Sequence, residues 1–207
     1  IIMLNSYKEL KEFLNKLDKK YTLLIHSCCA PCSSHVIKFL KDYFDITIYY
    51  SNDNIYPLEE YQKRLNEEIE FCNKISSNIK VIYDDYNNHD YDQAVLGLED
   101  KNERSIRCYN CYKLRLEKTA QKAKQLNFDF FTTTLSISPY KVTAWINEIG
   151  QELEKKYAVK FLYSDFKKDE GYKKSIELSH EYGLYRQDYC GCKYSKIERL
   201  NKLNGKE

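Results

Sequence analysis

The 207-residue chain holds only six glycines, three prolines, one methionine and one tryptophan. So little glycine and proline excludes a collagen-like repeat, a flexible interdomain linker or a low-complexity tract. Neither GxxxxGK[ST] nor GxGxxG occurs, and the first strand-to-helix turn has no glycine, so no phosphate-cradling loop is expected there. No apolar run approaches the ~18 residues of a membrane span. The apolar residues of the first 20 positions are periodic rather than contiguous, which does not resemble a secretory leader; a cytoplasmic protein without membrane contact is expected. The net charge is only +2, so charge as a whole points to no class of partner.

Charged residues make up 31% and apolar residues 43%, the balance of a globular protein. The length favours one domain, spanning 1–207, over two. The 20 tyrosines read as compositional bias. Cysteine is the anomaly. There are eight, and seven fall in three tight groups. Without an export signal, clustered cysteines indicate metal binding or redox work before structural disulfides. Neighbouring cysteines also bridge poorly to one another.

Hydrophobic periodicity alternates along the chain. Leu10, Phe13, Leu14 and Leu17 mark an amphipathic helix, and Tyr21–Ile25 a buried strand. A helix is expected from Pro31, strands at Ile46–Tyr50 and Ile79–Tyr83, and a long helix between them from Leu58 to Ile75. Next come a helix over Cys108–Leu126, a strand over Phe128–Thr134, a helix opened by Pro139 and a strand over Val159–Tyr163. Ser175–Tyr182 and Lys193–Leu203 close the pattern as helices. This alternation predicts an α/β fold: an open, mostly parallel sheet of about five strands with helices on both faces, like nucleotide-binding α/β domains.

The first chemical motif is His26-Ser-Cys-Cys-Ala-Pro-Cys32, at the end of the first strand and the start of a helix. Ligands of parallel sheets bind there, and a helix N-terminus favours thiolate. The second is Cys108-Tyr-Asn-Cys111, whose spacing lets two sulfurs face one ion but also suits a redox dithiol. The third is Cys190-Gly-Cys192, before the last helix. Cys72 has helical spacing on an apolar face and is expected in the core. Seven sulfurs exceed the four that one zinc or one cubane cluster takes. The surplus suggests a cluster plus either a second metal or a redox thiol, and counting does not partition the ligands. His26 beside three cysteines is a candidate proton donor or ligand. Residues 84–100 carry six acids and no Lys or Arg, whereas 101–125 carry eight bases against two acids. This polarity suits a solvated helix face or a strip facing phosphate.

Taken together, the motifs resemble the QueH family of epoxyqueuosine reductases. Besides the three cysteine groups, the resemblance rests on Asn54-Ile-Tyr-Pro-Leu-Glu-Glu-Tyr61 with Arg64, on Gly97-Leu-Glu-Asp100, and on Arg107 with Leu114-Arg-Leu-Glu117. It continues through Phe131-Thr-Thr-Thr-Leu135, Ser138-Pro139, Lys141, Asp165-Phe-Lys-Lys168, Gly171-Tyr172 and Leu184-Tyr-Arg-Gln-Asp188. It spans about Leu23 to Ser195.

The resemblance implies reduction of the epoxide of epoxyqueuosine at the wobble position of a tRNA, giving queuosine. It implies a [4Fe–4S] cluster, an additional iron ion and an external electron donor. Cys28, Cys29, Cys32, Cys108, Cys111, Cys190 and Cys192 are the expected metal ligands, with Asp165 or Asp188 as candidates to complete the second site. His26 and Tyr109 are candidates to protonate the departing oxygen. Arg104, Arg107, Arg115 and Lys141 are candidates for tRNA contacts. The competing expectations are an ATP-dependent tRNA sulfur-insertion enzyme and a non-catalytic zinc-binding RNA module.

Overall fold

In a computed structural model, residues 6–205 are described. In chain order the elements are α1 (Ser6–Leu14), β1 (Tyr21–His26), α2 (Ala30–Leu40), β2 (Phe44–Tyr50), α3 (Leu58–Ile75), β3 (Lys80–Tyr83) and α4 (His89–Ala94). They continue with α5 (Ile106–Gln125), β4 (Phe130–Thr133), a 3₁₀ turn (Thr134–Ile137), α6 (Thr143–Tyr157), β5 (Lys160–Phe161), α7 (Gly171–Glu181) and α8 (Lys193–Leu203). All strand pairings are parallel, in the order β3-β2-β1-β4-β5.

The two-residue alternation of a strand explains the layers. Leu23 and Ile25 of β1, with Ile46 and Ile48 of β2, face Leu10, Leu14, Val36, Leu40 and Phe71 of α1, α2 and α3. Leu24, between them, faces the other way with Phe131 and Phe161, against Leu116 and Ala120 of α5 and Ile149 and Leu153 of α6. Both faces of the sheet are thus covered, and the central strand is apolar on each side. Cys72 lies fully buried in the first of these cores, as expected.

Strands β2 and β3 extend the sheet on one side of β1, and β4 and β5 on the other. The crevice where the connections diverge, at the carboxyl ends of β1 and β4, is where such sheets bind ligands. His26 and Thr133 are register partners at that end.

Two local expectations are corrected, and one element is added. Pro139 does not open a helix: Ser138 before it is extended, as proline demands of its predecessor, and α6 begins at Thr143. The short helix α4 lacks an apolar period long enough to be read from sequence. The charge polarity of 84–125 is largely internal pairing, with Lys118 bound to Asp53 and Asp90 and Lys122 to Asp84.

Candidate metal centre and adjoining cavity

Each cysteine group sits at a helix N-terminus. Cys28 and Cys29 precede α2, with extended Cys29 as its cap and Cys32 in its first turn, where Pro31 needs no N–H partner. Cys108 lies in the first turn of α5, capped by Ser105. Cys192 caps α8, its sulfur accepting the Ser195 N–H at 3.3 Å. Helix N-termini put unpaired N–H groups and a positive dipole end beside each group, which stabilises thiolate.

The sulfurs of Cys28, Cys29 and Cys32 lie within 4.8 Å of one another. Among the described residues they are the one group of three or more His, Cys, Asp or Glu ligand atoms that close. Hydrogen bonds from Cys29 and Cys32, aided by Arg115, hold the Cys28 thiol well below its ordinary range despite burial. Hydrogen bonds with Cys28 and Cys29, and burial, push Cys32 up.

Cys108, Cys111, Cys190 and Cys192 form a second group within electrostatic reach of one another. Cys111 and Cys192 pack together with Tyr91 and Val95. Burial pushes the Cys111 thiol up to about 12. No two of the eight cysteines are bridged.

Nitrogen donors surround the sulfurs. Gln187 Nε2 donates to Cys29 at 3.0 Å, Lys141 Nζ to Cys190 at 3.0 Å, Arg104 N to Cys108 at 3.4 Å and Arg107 Nη1 to Cys192 at 3.7 Å. Arg64, a residue whose only sequence signal was the family motif, donates to the Cys190 carbonyl at 3.3 Å and pairs with Glu60 at 2.6 Å.

Cys28 and Cys32 of the first group and Cys190 of the second open onto a cavity of about 520 Å³, lined also by Lys141, Asp188 and Tyr140. That volume suits a small organic group such as a nucleoside.

Several residues stand elsewhere than their expected roles require. His26 is fully buried, does not line the cavity, and is kept neutral, with a pKa lowered to about 3 by burial and by Arg115. Tyr109 turns its hydroxyl to Glu148 at 3.2 Å and is not part of the cavity wall. Arg107 and Arg115 are sealed inside, so neither guanidinium meets an external phosphate. Lys141 is also buried but reaches the cavity wall. Arg104 is exposed. Asp165 is buried and pairs with Lys167 at 2.6 Å, away from the cavity. Asp188 lines the cavity and pairs with Arg199 at 3.0 Å.

Three buried polar atoms beside the sulfurs lack a hydrogen-bond partner among the described residues: Tyr112 Oη, Arg107 Nε and Gln187 Oε1. Such atoms are rare in a protein interior. Seven thiols backed by donors, with orphaned polar atoms among them, are a donor set suited to soft metal.

No described helix is long and apolar enough to cross a membrane. A solved structure described as a predicted subunit of tRNA methyltransferase from Methanocaldococcus jannaschii matches with a TM-score of 0.51 and 15% identity, covering 89% of each chain. At that identity it supports the α/β fold alone. The family profile described as epoxyqueuosine reductase QueH matches residues 23–198.

Epoxyqueuosine reductase QueH of Streptococcus pyogenes serotype M1 is 41% identical over 205 residues, covering 97% of this chain and 80% of the relative. The namesakes from Staphylococcus aureus and Thermotoga maritima are 37% and 39% identical, covering 95% and 87% of this chain and 85% and 93% of the relatives. The sulfur-insertion and zinc-module expectations give way to this match, in which the cysteine-bearing strand-to-helix turn, the α/β sheet and the relatives agree: the chain belongs to the QueH family of epoxyqueuosine reductases.

Proposed function

We propose that the substrate is epoxyqueuosine carried in tRNA, that its modified base enters the cavity beside Cys28, Cys32 and Cys190, and that the cysteines hold two iron sites. Cys108, Cys111, Cys190 and Cys192 form the four-thiolate set that a [4Fe–4S] cluster takes. The close triad Cys28, Cys29 and Cys32 holds the neighbouring iron, with Asp188 the carboxylate on the same cavity wall. When bound, this pair of centres supplies two electrons from an external donor and Lewis acidity toward oxygen.

The remaining work falls to the chain itself. Converting an epoxide to an alkene takes two electrons and two protons and releases water. We assign proton supply at the cavity wall to Lys141 Nζ rather than to His26 or Tyr109. Burial works against its charge, but Cys190, Tyr112 and Glu103 outweigh burial and keep it protonated. Tyr140, 62% exposed at the cavity, offers a ring on which an extruded base can stack. Arg186 lies over the ring of Tyr172 on the same wall, and with Arg199 it presents positive charge to the nucleic acid. Arg107 and Lys141, expected at tRNA, serve instead as donors to the sulfurs, and the buried Arg115 charge favours thiolate, which leaves Arg104 as the external candidate of the four.

The observation that carries this reading is the meeting of two distant cysteine segments, Cys28 with Cys32 and Cys190, at one cavity, with Cys108 and Cys111 within electrostatic reach of Cys190. Protein purified without oxygen is expected to be brown, to contain more than four irons per chain, and to convert epoxyqueuosine-containing tRNA to queuosine-containing tRNA with a chemical reductant. Product is read by mass spectrometry of the digested nucleosides. Colourless protein carrying zinc and lacking that conversion refutes the proposal.

A further inference from the structure

Arg115 is a buried cation without a carboxylate. Its residue exposure is 2%, and no acid pairs with it among the described residues. The other buried cations near the sulfurs are matched: Arg64 by Glu60, Arg107 by Glu198 and Lys141 by Glu103. An interior guanidinium with no counter-charge is costly enough to require an anion elsewhere.

The groups around it that become anionic on taking up metal are sulfurs. Cys111 lies one helical turn before Arg115 on α5, and His26, which Arg115 contacts, stands two residues before Cys28; the Arg115 charge favours thiolate at both cysteines. Cys28 belongs to the triad, whereas Cys111 belongs to the second group. One guanidinium therefore stands between the two sets of ligands.

Its orientation is fixed from behind. Nε donates to His26 Nε2 at 3.2 Å, and Nη2 donates to Asn52 Oδ1 at 2.6 Å. A guanidinium N–H only donates, so His26 Nε2 accepts, and the ring proton resides on Nδ1. Nδ1 then donates to Thr133 Oγ1 at 2.8 Å, across the β1–β4 pairing. The Ser51 carbonyl, also 3.2 Å from Nε2, competes for the opposite tautomer, but that tautomer would strand a buried charged donor. His26 is thus a positioning residue for Arg115.

We infer that Arg115 is the shared counter-charge of the two cysteine groups: it offsets thiolate charge in both and makes reduction of the metal they hold easier. The inference rests on the iron reading proposed above. A fixed positive charge beside a metal–thiolate centre favours the reduced state, because reduction adds negative charge.

The test compares full-length protein loaded with iron without oxygen: wild type, Arg115→Lys, Arg115→Gln and Asn52→Asp. The readouts are iron per chain, circular dichroism and the midpoint potential from a titration followed by visible absorbance. Arg115→Lys keeps the charge and is expected to stay near the wild-type potential. Arg115→Gln is expected either to shift the reduction equilibrium at least tenfold toward the oxidised form, about 59 mV for one electron, or to fold without taking up iron. Asn52→Asp keeps the side-chain shape, places a carboxylate on Nη2, and is expected to shift the potential in the same direction. It decides the matter where Arg115→Gln does not fold. Iron-loaded Arg115→Gln or Asn52→Asp at the wild-type potential overturns the inference while leaving the proposed function standing. A wild type that takes up no iron overturns both.

Discussion

Gln187 Nε2 lies 3.0 Å from Cys29 Sγ and so ties the segment before Cys190 to the strand-to-helix turn 158 residues earlier. Both side chains stand at the cavity end of the sheet, and Gln187 Oε1 has no partner of its own among the described residues. Gln187→Leu keeps the volume and removes the donor. Outer contacts of this kind are worth roughly 10- to 100-fold in metal affinity or activity. Gln187→Leu is expected to lower epoxide reduction about tenfold, with an unchanged circular dichroism spectrum. Activity and iron content equal to wild type would show the contact to be incidental.

Single cysteine replacements separate the two groups. Cys29→Ala is expected to remove the iron of the triad and leave the cluster absorbance. Cys111→Ala is expected to remove that absorbance. Cys72→Ala, whose sulfur sits in the apolar core away from both, is expected to retain full iron and activity while losing about 1 kcal/mol of stability. Iron analysis with visible spectra checks all three. Loss of the same iron signal from Cys29→Ala and Cys111→Ala would contradict two distinct sites.

The sequence signals that were read correctly are the ones with a strong period or a strong chemistry. Leu23, Leu24 and Ile25 could only be a strand covered on both faces, and the spacing of Tyr61, Leu65 and Cys72 could only be a helix. The cysteine groups were legible because sulfur is rare and clustered. Burial of charge was not. Arg107 and Arg115 look like surface cations in a basic helix, and only the folded arrangement reveals that their partners are Cys192, Glu198, Asn52 and His26. His26 looked catalytic for the converse reason: nothing in a sequence tells that both its ring nitrogens are engaged inside the sheet.

Gly191 adopts φ +123°, a conformation that disfavours side chains, and an added Cβ would lie 3.1 Å from both Arg64 Nη1 and Ile55 Cγ1. Its carbonyl accepts the Tyr56 N–H at 2.9 Å, so the turn cannot move away freely. Gly191→Ala therefore strains the segment that aims Cys190 and Cys192. The cost is on the order of 1–3 kcal/mol. Thermal melts are expected to show that loss together with weaker cluster absorbance, while iron at Cys28, Cys29 and Cys32 persists. An unshifted melt would mean that the loop accommodates the methyl group.

Glu68 links the triad to pH. Its carboxyl is fully buried beneath the turn, accepts the Ser27 hydroxyl at 3.0 Å and lies 3.9 Å from the Cys72 thiol. Burial raises its pKa from 4.5 to about 7, against hydrogen bonds from Ser33 and Ser27. Between these two values the folded chain keeps a proton that the unfolded chain has lost. Stability from this group is therefore complete below about pH 4.5 and falls as pH rises to about 7. At about 1.4 kcal/mol per pH unit, the loss is on the order of 3 kcal/mol. Glu68→Gln stays neutral throughout and has no such slope. Urea unfolding of metal-free protein at pH 4.5 and 7.5 is expected to show the wild type losing on the order of 3 kcal/mol more than the variant. Parallel stability curves for the two proteins would show that Glu68 is already ionised in the folded chain, held by its two serine hydroxyls.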